Sequence, residues 1–322
     1  MSWKGALVID GHMDTPLKLV DEGHDLADRL PGHADLPRMR EGGLDAVFLA
    51  AWIDPAFAPD RALARAERLL ASIRDAAKRH PDLARFATTA AEVRDAAAAG
   101  KVALLAGVEN GQALEGNPEN VQRLHRLGAR YLTLTWMNSN DLGDAGGGEE
   151  LHGGLSALGR EVVAEMGRVG MLVDLSHAAP STFWDALAVA AGPVVVTHAG
   201  TEARGPHPRN VSDEQIRAVA ATGGLVGIAF MPGYLVPNDP GAADIGVVAD
   251  HIERIVDVAG IDCPALGSDF DGVPRPPRGL EGVQDLPAIP AELGRRGYSD
   301  QDVARILGGN WLRVLDSLGN RV

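Results

Sequence analysis

Hydrophobic positions along this chain fall into two alternating patterns. Short runs rich in Val, Ile and Leu are apolar on both faces, as buried parallel strands are. Eight can be placed: Ala6 to Asp14, Leu44 to Ile53, Val102 to Gly111, Arg130 to Met137, Met171 to His177, Pro193 to Gly200, Leu225 to Phe230, and Pro264 to Gly272. Between them, apolar residues recur at three- and four-residue spacing. Leu155, Leu158, Val162, Val163, Met166 and Val169 make one stripe, and Ile245, Val248, Ile252, Ile255 and Val256 make another, each suited to pack one helix face on a sheet. Ser212 with Gln215 has capping-box spacing before Ile216, and Ser299 with Asp302 has it before a helix ending near Leu318.

Eight strand–helix units predict an α/β fold, a closed (β/α)8 TIM barrel, because right-handed crossovers carry every helix outside and eight parallel strands can close. An open, doubly wound sheet is the alternative. It lacks a Gly-x-Gly-x-x-Gly after the first strand, the main support for a dinucleotide-binding fold. The length of 322 residues suggests about two domains of typical size. No internal repeat or low-complexity linker divides the chain, however, and residues 1–322 read as a single barrel catalytic domain. Two long Gly- or Pro-rich loops, Asn138 to Gly154 and Val273 to Pro290, follow strand C-termini, the end at which barrel active sites are built.

Composition narrows the partners. With 45% apolar and 23% charged residues the chain is that of an ordinary soluble protein. Its net charge of −14 is unsuited to a phosphate backbone, so no nucleic-acid partner is expected. No segment reaches the 18 or so apolar residues of a membrane span, and the five before Asp10 are too few for a signal-peptide core. Cys263 is the sole cysteine, which rules out an intrachain disulfide or a cysteine-rich zinc site and fits a cytoplasmic setting.

The candidate chemistry sits at the strand ends. His12 and Asp14 project from one face of the first strand, about 7 Å apart along it. Glu109, His177, His198 and Asp269 close four further strands. Any one of these could be a satisfied core histidine, a helix-facing carboxylate or a cap; together they converge where this fold builds its sites. Imidazoles with a shared carboxylate suit zinc or a similar borderline divalent ion, and the surplus of ligands suggests two ions. In this reading His12, Asp14 and Glu109 hold one ion, and Glu109, His177 and His198 hold the other. A bridging hydroxide attacks, Asp269 takes its proton, and the reaction is metal-assisted hydrolysis of an amide or ester. In the loop after His198, Arg204 or Arg209 could clamp a substrate carboxylate, while His207, flanked by prolines, reads as structural. His24, His33, His80, His125 and His251 read as surface or packing residues, and His152, in the Gly-rich loop, could approach the site.

The segments IDGHMDTPL, GVENG, YLTLTW, GREVVAEMGRVGMLVDLSH, VVVTHAG, HPRNVSDEQI, GSDFDGV and GLEGVQDLP run in this order over nearly the whole chain. This set resembles the renal or membrane dipeptidase family of metallopeptidases, in a soluble, bacterial-type form. The resemblance implies an amidohydrolase-like barrel, a binuclear zinc site with two ions per chain, hydrolysis of dipeptides with frequent tolerance of a D-residue at the C-terminal position, and a homodimer. It assigns the ligand and proton-handling roles to the same residues, and selects Arg209 over Arg204 as the receiver of the dipeptide's terminal carboxylate. One position departs: many members carry His after YLTLT, where it helps polarise the scissile carbonyl, and this chain has Trp136. An indole N–H can donate but cannot be cationic, so Asn138, Asn140 or His152 is the expected substitute. Trp136 also opens a second reading, a binuclear amidohydrolase for N-acyl amino acids or lactones. A barrel that binds metal or a partner without turnover is a third, disfavoured because no ligand is missing.

Overall fold

The computed structural model describes residues 5–319. Among the described residues there are nine parallel strands: β1 (Ile9–Met13), β2 (Ala46–Trp52), β3 (Ala84–Phe86), β4 (Val102–Glu109), β5 (Ala129–Thr133), β6 (Leu172–Asp174), β7 (Val194–Ala199), β8 (Leu225–Ile228) and β9 (Pro264–Leu266). Eight of them close a ring in the order β1, β2, β4, β5, β6, β7, β8, β9 and back to β1, with helices outside, which is a (β/α)8 TIM barrel. All eight predicted strands are found. The ninth, β3, pairs only with the first three residues of β4 and stays outside the ring.

The apolar runs are buried on both faces, so the ring has two cores. Inside it, Ile9, Phe48, Leu105, Tyr131, Val195 and Leu225 fill the barrel, and the outward residues pack on the helices. Trp311 plugs the interior from the C-terminal helix, donating its indole N–H to Leu266 O at 3.0 Å. It lies so close to Gly11 of β1 that a Cβ there would strike the indole.

Both predicted stripes are helical, Ala157–Val169, with Leu155 of the first stripe lying just ahead of its Ser156 cap, and Ile245–Ala259, and both capping boxes form. The helix expected to end near Leu318 differs. It begins at Asp300, passes through a π turn at Arg305–Gly309 and resumes at Asn310. A Cβ on Gly308 in that turn would clash with Leu7 O, so the wider turn lets the backbone lie against the foot of β1.

Cys263, just before β9, is buried, and burial pushes its thiol up to about 12. The thiolate is the reactive species. The folded protein is therefore expected to resist alkylation at neutral pH and to take one label per chain only after denaturation, as intact-mass measurement would show.

Candidate active site

The site is assembled at the C-terminal rim of the ring. His12 lies within β1, Glu109 ends β4 and His198 lies within β7. His177 and Asp269 differ from the expected strand-end placement, each standing three residues past its strand, after β6 and β9. Both occupy the left-handed region, with φ of 68° and 63°, a conformation that concentrates at functional turns. The turn after β9 rejoins β1: Asp269 N–H donates to His12 O at 3.0 Å, and Asp14 N–H donates to Phe270 O at 2.9 Å. Asp269 and Asp14 are thereby brought together from opposite ends of the sequence.

The three imidazoles converge on one carboxylate. His12 Nε2 lies 3.4 Å from Glu109 Oε2, while His177 Nε2 and His198 Nε2 lie 3.0 and 3.5 Å from Oε1. His12 Nε2 is also 3.7 Å from Asp14 Oδ2. Glu109 thus offers one oxygen to each side, the arrangement of a carboxylate that can bridge two ions. Two groups have atoms close enough together to share an ion: His12, Glu109 and His198, and His12, Asp14 and Asp269.

A cation fits the donors present. His12 Nε2 and Asp14 Oδ1 are buried and lack hydrogen-bond partners, and such atoms are costly unless something occupies them. Second contacts orient the rings, with Tyr131 OH 2.9 Å from His12 Nδ1 and Thr197 Oγ1 2.9 Å from His198 Nδ1. Gly107 of β4 makes room for Tyr131, whose ring a Cβ there would strike.

Electrostatics separates the groups. Burial alone would raise Glu109, but the charge of His12 and the close approach of the three imidazoles hold it well below the usual carboxylate range. Asp269 is pushed the other way, by burial and then by the charge of Asp14. Burial and the Arg209 charge lower His177 to about 4, and burial also lowers His198. Both rings are therefore neutral at physiological pH, the form in which imidazole ligates a metal. Burial lifts Asp10, below the site, to about 6, although His12 N–H and Ser268 N–H both donate to it.

A cavity of about 430 Å³ opens above this cluster. Asp14, Glu109, His177 and Asp269 form its polar floor, and Trp52, Trp136, Met137, Met231 and Tyr234 form much of an apolar wall. Trp136 meets Trp52 edge to face at 4.9 Å between ring centroids and lies 6.3 Å from the His177 ring. Arg209 is buried beside the floor, where it lines a smaller cleft together with His177. It donates to His198 O at 3.1 Å, sits 5.1 Å over the Tyr234 ring, and its Nε has no partner. His207 supports it, accepting the Arg209 N–H and packing on Tyr234.

The expected substitutes for a carbonyl-polarising His are placed elsewhere. His152 is exposed, with Nε2 2.9 Å from Asn140 O. Asn140 is buried and donates to Asn110 Oδ1 and Leu134 O, and Asn138 donates to Gln112. None of the three lines the cavity. The physical reason is Asp144, whose carboxylate accepts the Leu151, His152 and Gly154 N–H groups and curls the Gly-rich loop on itself.

Several site residues carried no signal in the alternation alone. Tyr131 and Thr197 belong to apolar runs, and Asp271, which lines the cavity, is tied down by Thr15, Lys18 and His33. Gly272 is another: a Cβ there would collide with both Asp14 Oδ2 and Asp269 Oδ1. Gly272→Ala is expected to keep the fold, as read by far-UV circular dichroism, and to weaken metal binding about tenfold in a chelator competition.

Comparison with known proteins agrees with this geometry. The family described as "Membrane dipeptidase (Peptidase family M19)" matches residues 3–320. The chain is 34% identical to Dipeptidase verJ of Clonostachys rogersoniana, across 97% of this chain and 84% of that protein. It is 36% identical to Dipeptidase aclJ of Aspergillus oryzae, across 89% and 70%. A metallo peptidase from Rhodobacter sphaeroides, solved with a phosphinate mimic of the dipeptide L-Ala-D-Ala, superposes with a TM-score of 0.88 at 28% identity, covering 97% of this chain and 99% of that one. No helix among the described residues is long and apolar enough to cross a membrane. With a barrel, a carboxylate flanked by three imidazoles and a family match over almost its full length, this chain belongs to the membrane dipeptidase family of metallopeptidases.

Proposed function

We propose that this chain is a two-zinc dipeptidase that hydrolyses the peptide bond of dipeptides, including those with a D-residue in second position. The observation that carries the reading is the convergence of His12, His177 and His198 on the two oxygens of Glu109. His12, Asp14 and Glu109 would hold one ion, and Glu109, His177 and His198 the other. When bound, the two ions supply Lewis acidity and a water acidic enough to attack at neutral pH.

The chain's own groups do the rest. Asp269, kept protonatable by burial and by Asp14, takes the proton released in the attack and returns it to the leaving amine. Arg209, buried with an unpartnered Nε, receives the terminal carboxylate of the substrate. Trp136 and Trp52 close the apolar wall against the substrate's side chains and exclude water. A two-residue substrate is supported by Arg209 lining a small cleft that shares His177 with the cavity above the metal cluster. Tolerance of a D-residue is suggested by the ligand of the Rhodobacter relative. The whole chain acts as one catalytic unit, and its single buried cysteine suits a cytoplasmic setting.

A second reading, hydrolysis of N-acyl amino acids or lactones, is favoured by one observation, the neutral Trp136 in the wall. A panel of L,L and L,D dipeptides, N-acyl amino acids and lactones, offered to the zinc-loaded protein, separates the two. Dipeptides are expected to be turned over fastest, and a preference for lactones would reject the proposal.

A further inference from the structure

The three imidazoles differ in what their second ring nitrogen meets. His177 Nδ1 is buried without a hydrogen-bond partner, whereas His198 Nδ1 lies 2.9 Å from Thr197 Oγ1. A hydroxyl can donate to imidazole or accept from it. The choice decides which ring nitrogen keeps the lone pair that a metal needs.

Asp174, the last residue of β6, settles the choice. It is wholly buried, and its Oδ1 accepts the backbone N–H groups of Ser176 and Thr197, at 3.0 and 2.9 Å, and Ser176 Oγ at 2.8 Å. Its Oδ2 accepts Thr133 Oγ1 at 2.6 Å and Thr197 Oγ1 at 2.7 Å. A carboxylate only accepts, so the single hydroxyl proton of Thr197 goes to Oδ2. Thr197 Oγ1 is left as an acceptor toward His198, whose proton must then sit on Nδ1. Nε2 keeps its lone pair and faces Glu109 and His177.

We infer that Asp174 is a positioning residue: through the Thr197 hydroxyl it fixes His198 in the Nδ1–H tautomer and so keeps Nε2 ready for a metal ion. The inference rests on the reading of His198 as a metal ligand. It differs from a purely structural role in predicting a tautomer.

Asp174→Asn inverts that logic without changing size. The backbone donors on the Oδ1 side require the amide oxygen there, so the amide NH2 takes the Oδ2 position and donates to Thr197 Oγ1. The Thr197 proton then turns to His198 Nδ1, the nearer acceptor at 2.9 Å against 3.2 Å for Ser176 Oγ, which favours the Nε2–H tautomer and opposes ligation.

The test is a two-bond 1H–15N correlation spectrum of the full-length, metal-stripped protein labelled with 15N-histidine, at mildly alkaline pH, alongside zinc affinity from chelator competition. The natural protein should show His198 as Nδ1–H. D174N should show Nε2–H and bind zinc about 10 to 100-fold more weakly, the usual range for a lost outer partner of a ligating histidine. Retention of Nδ1–H in D174N, whatever its zinc affinity, overturns the inference, as does the Nε2–H form in the natural protein. Should D174N fail to fold, Thr197→Val decides: it should lose the single tautomer and bind zinc about tenfold more weakly, and Thr197→Ser should restore both. A T197V protein with unchanged tautomer and affinity overturns the inference equally. An unchanged zinc count in His198→Ala would instead reject the ligand reading, leaving the tautomer result standing.

Discussion

A Glu109→Gln protein is expected to fold normally, bind fewer than two zinc ions per chain and lose at least about a thousandfold in kcat/KM, on the scale of removing a group that organises charge in the transition state. Glu109 approaches all three imidazoles, with Oε2 toward His12 and Oε1 toward His177 and His198. An amide keeps the size but puts N–H donors opposite one side, where lone pairs must already face a cation. The residue is buried and held in its ionised form, so the substitution removes a negative charge from between the two proposed cation sites. Elemental analysis and dipeptide turnover on the same preparation check both halves. Two ions with unimpaired turnover would separate Glu109 from the site.

Arg209→Met should raise KM for dipeptides about a hundredfold while changing kcat far less, and should leave esters or lactones that lack a carboxylate nearly untouched. The loss corresponds to truncating one partner of a buried, hydrogen-bonded charge pair, worth about 2 to 5 kcal/mol. Arg209 is 4% exposed and held in place by His198 O, by the Tyr234 ring and through its own N–H by His207, so the charge is prepared before substrate arrives. Methionine keeps much of the stem, which limits packing loss. A uniform fall for every substrate would show damage to the site instead of a lost clamp. A selective loss for lactones would favour the second reading.

Much of this was legible in the sequence because polar residues interrupt runs that are otherwise apolar on both faces. His12, Glu109 and His198 stand out for that reason, and the barrel follows from the regular return of such runs. What was not legible depends on contacts between distant segments. His177 and Asp269 stand in left-handed turns past their strands, and only the pairing of the last turn with β1 brings Asp269 to Asp14. Tyr131, Thr197 and Asp174 look like parts of buried strands, and their roles appear only when their side chains meet the rings of His12 and His198. The Gly-rich loop has the composition of a flexible lid, yet three backbone N–H groups on Asp144 tie it down and carry His152 away from the cavity. The three-residue β3 has too few positions for any period to show.

The proposal as a whole turns on a zinc titration of metal-free protein, following hydrolysis of a dipeptide and bound metal together. Turnover should be negligible without metal, rise with added zinc and level off at two ions per chain. Full activity without metal, a plateau at one ion, or no hydrolysis of any dipeptide by the fully loaded protein would contradict it.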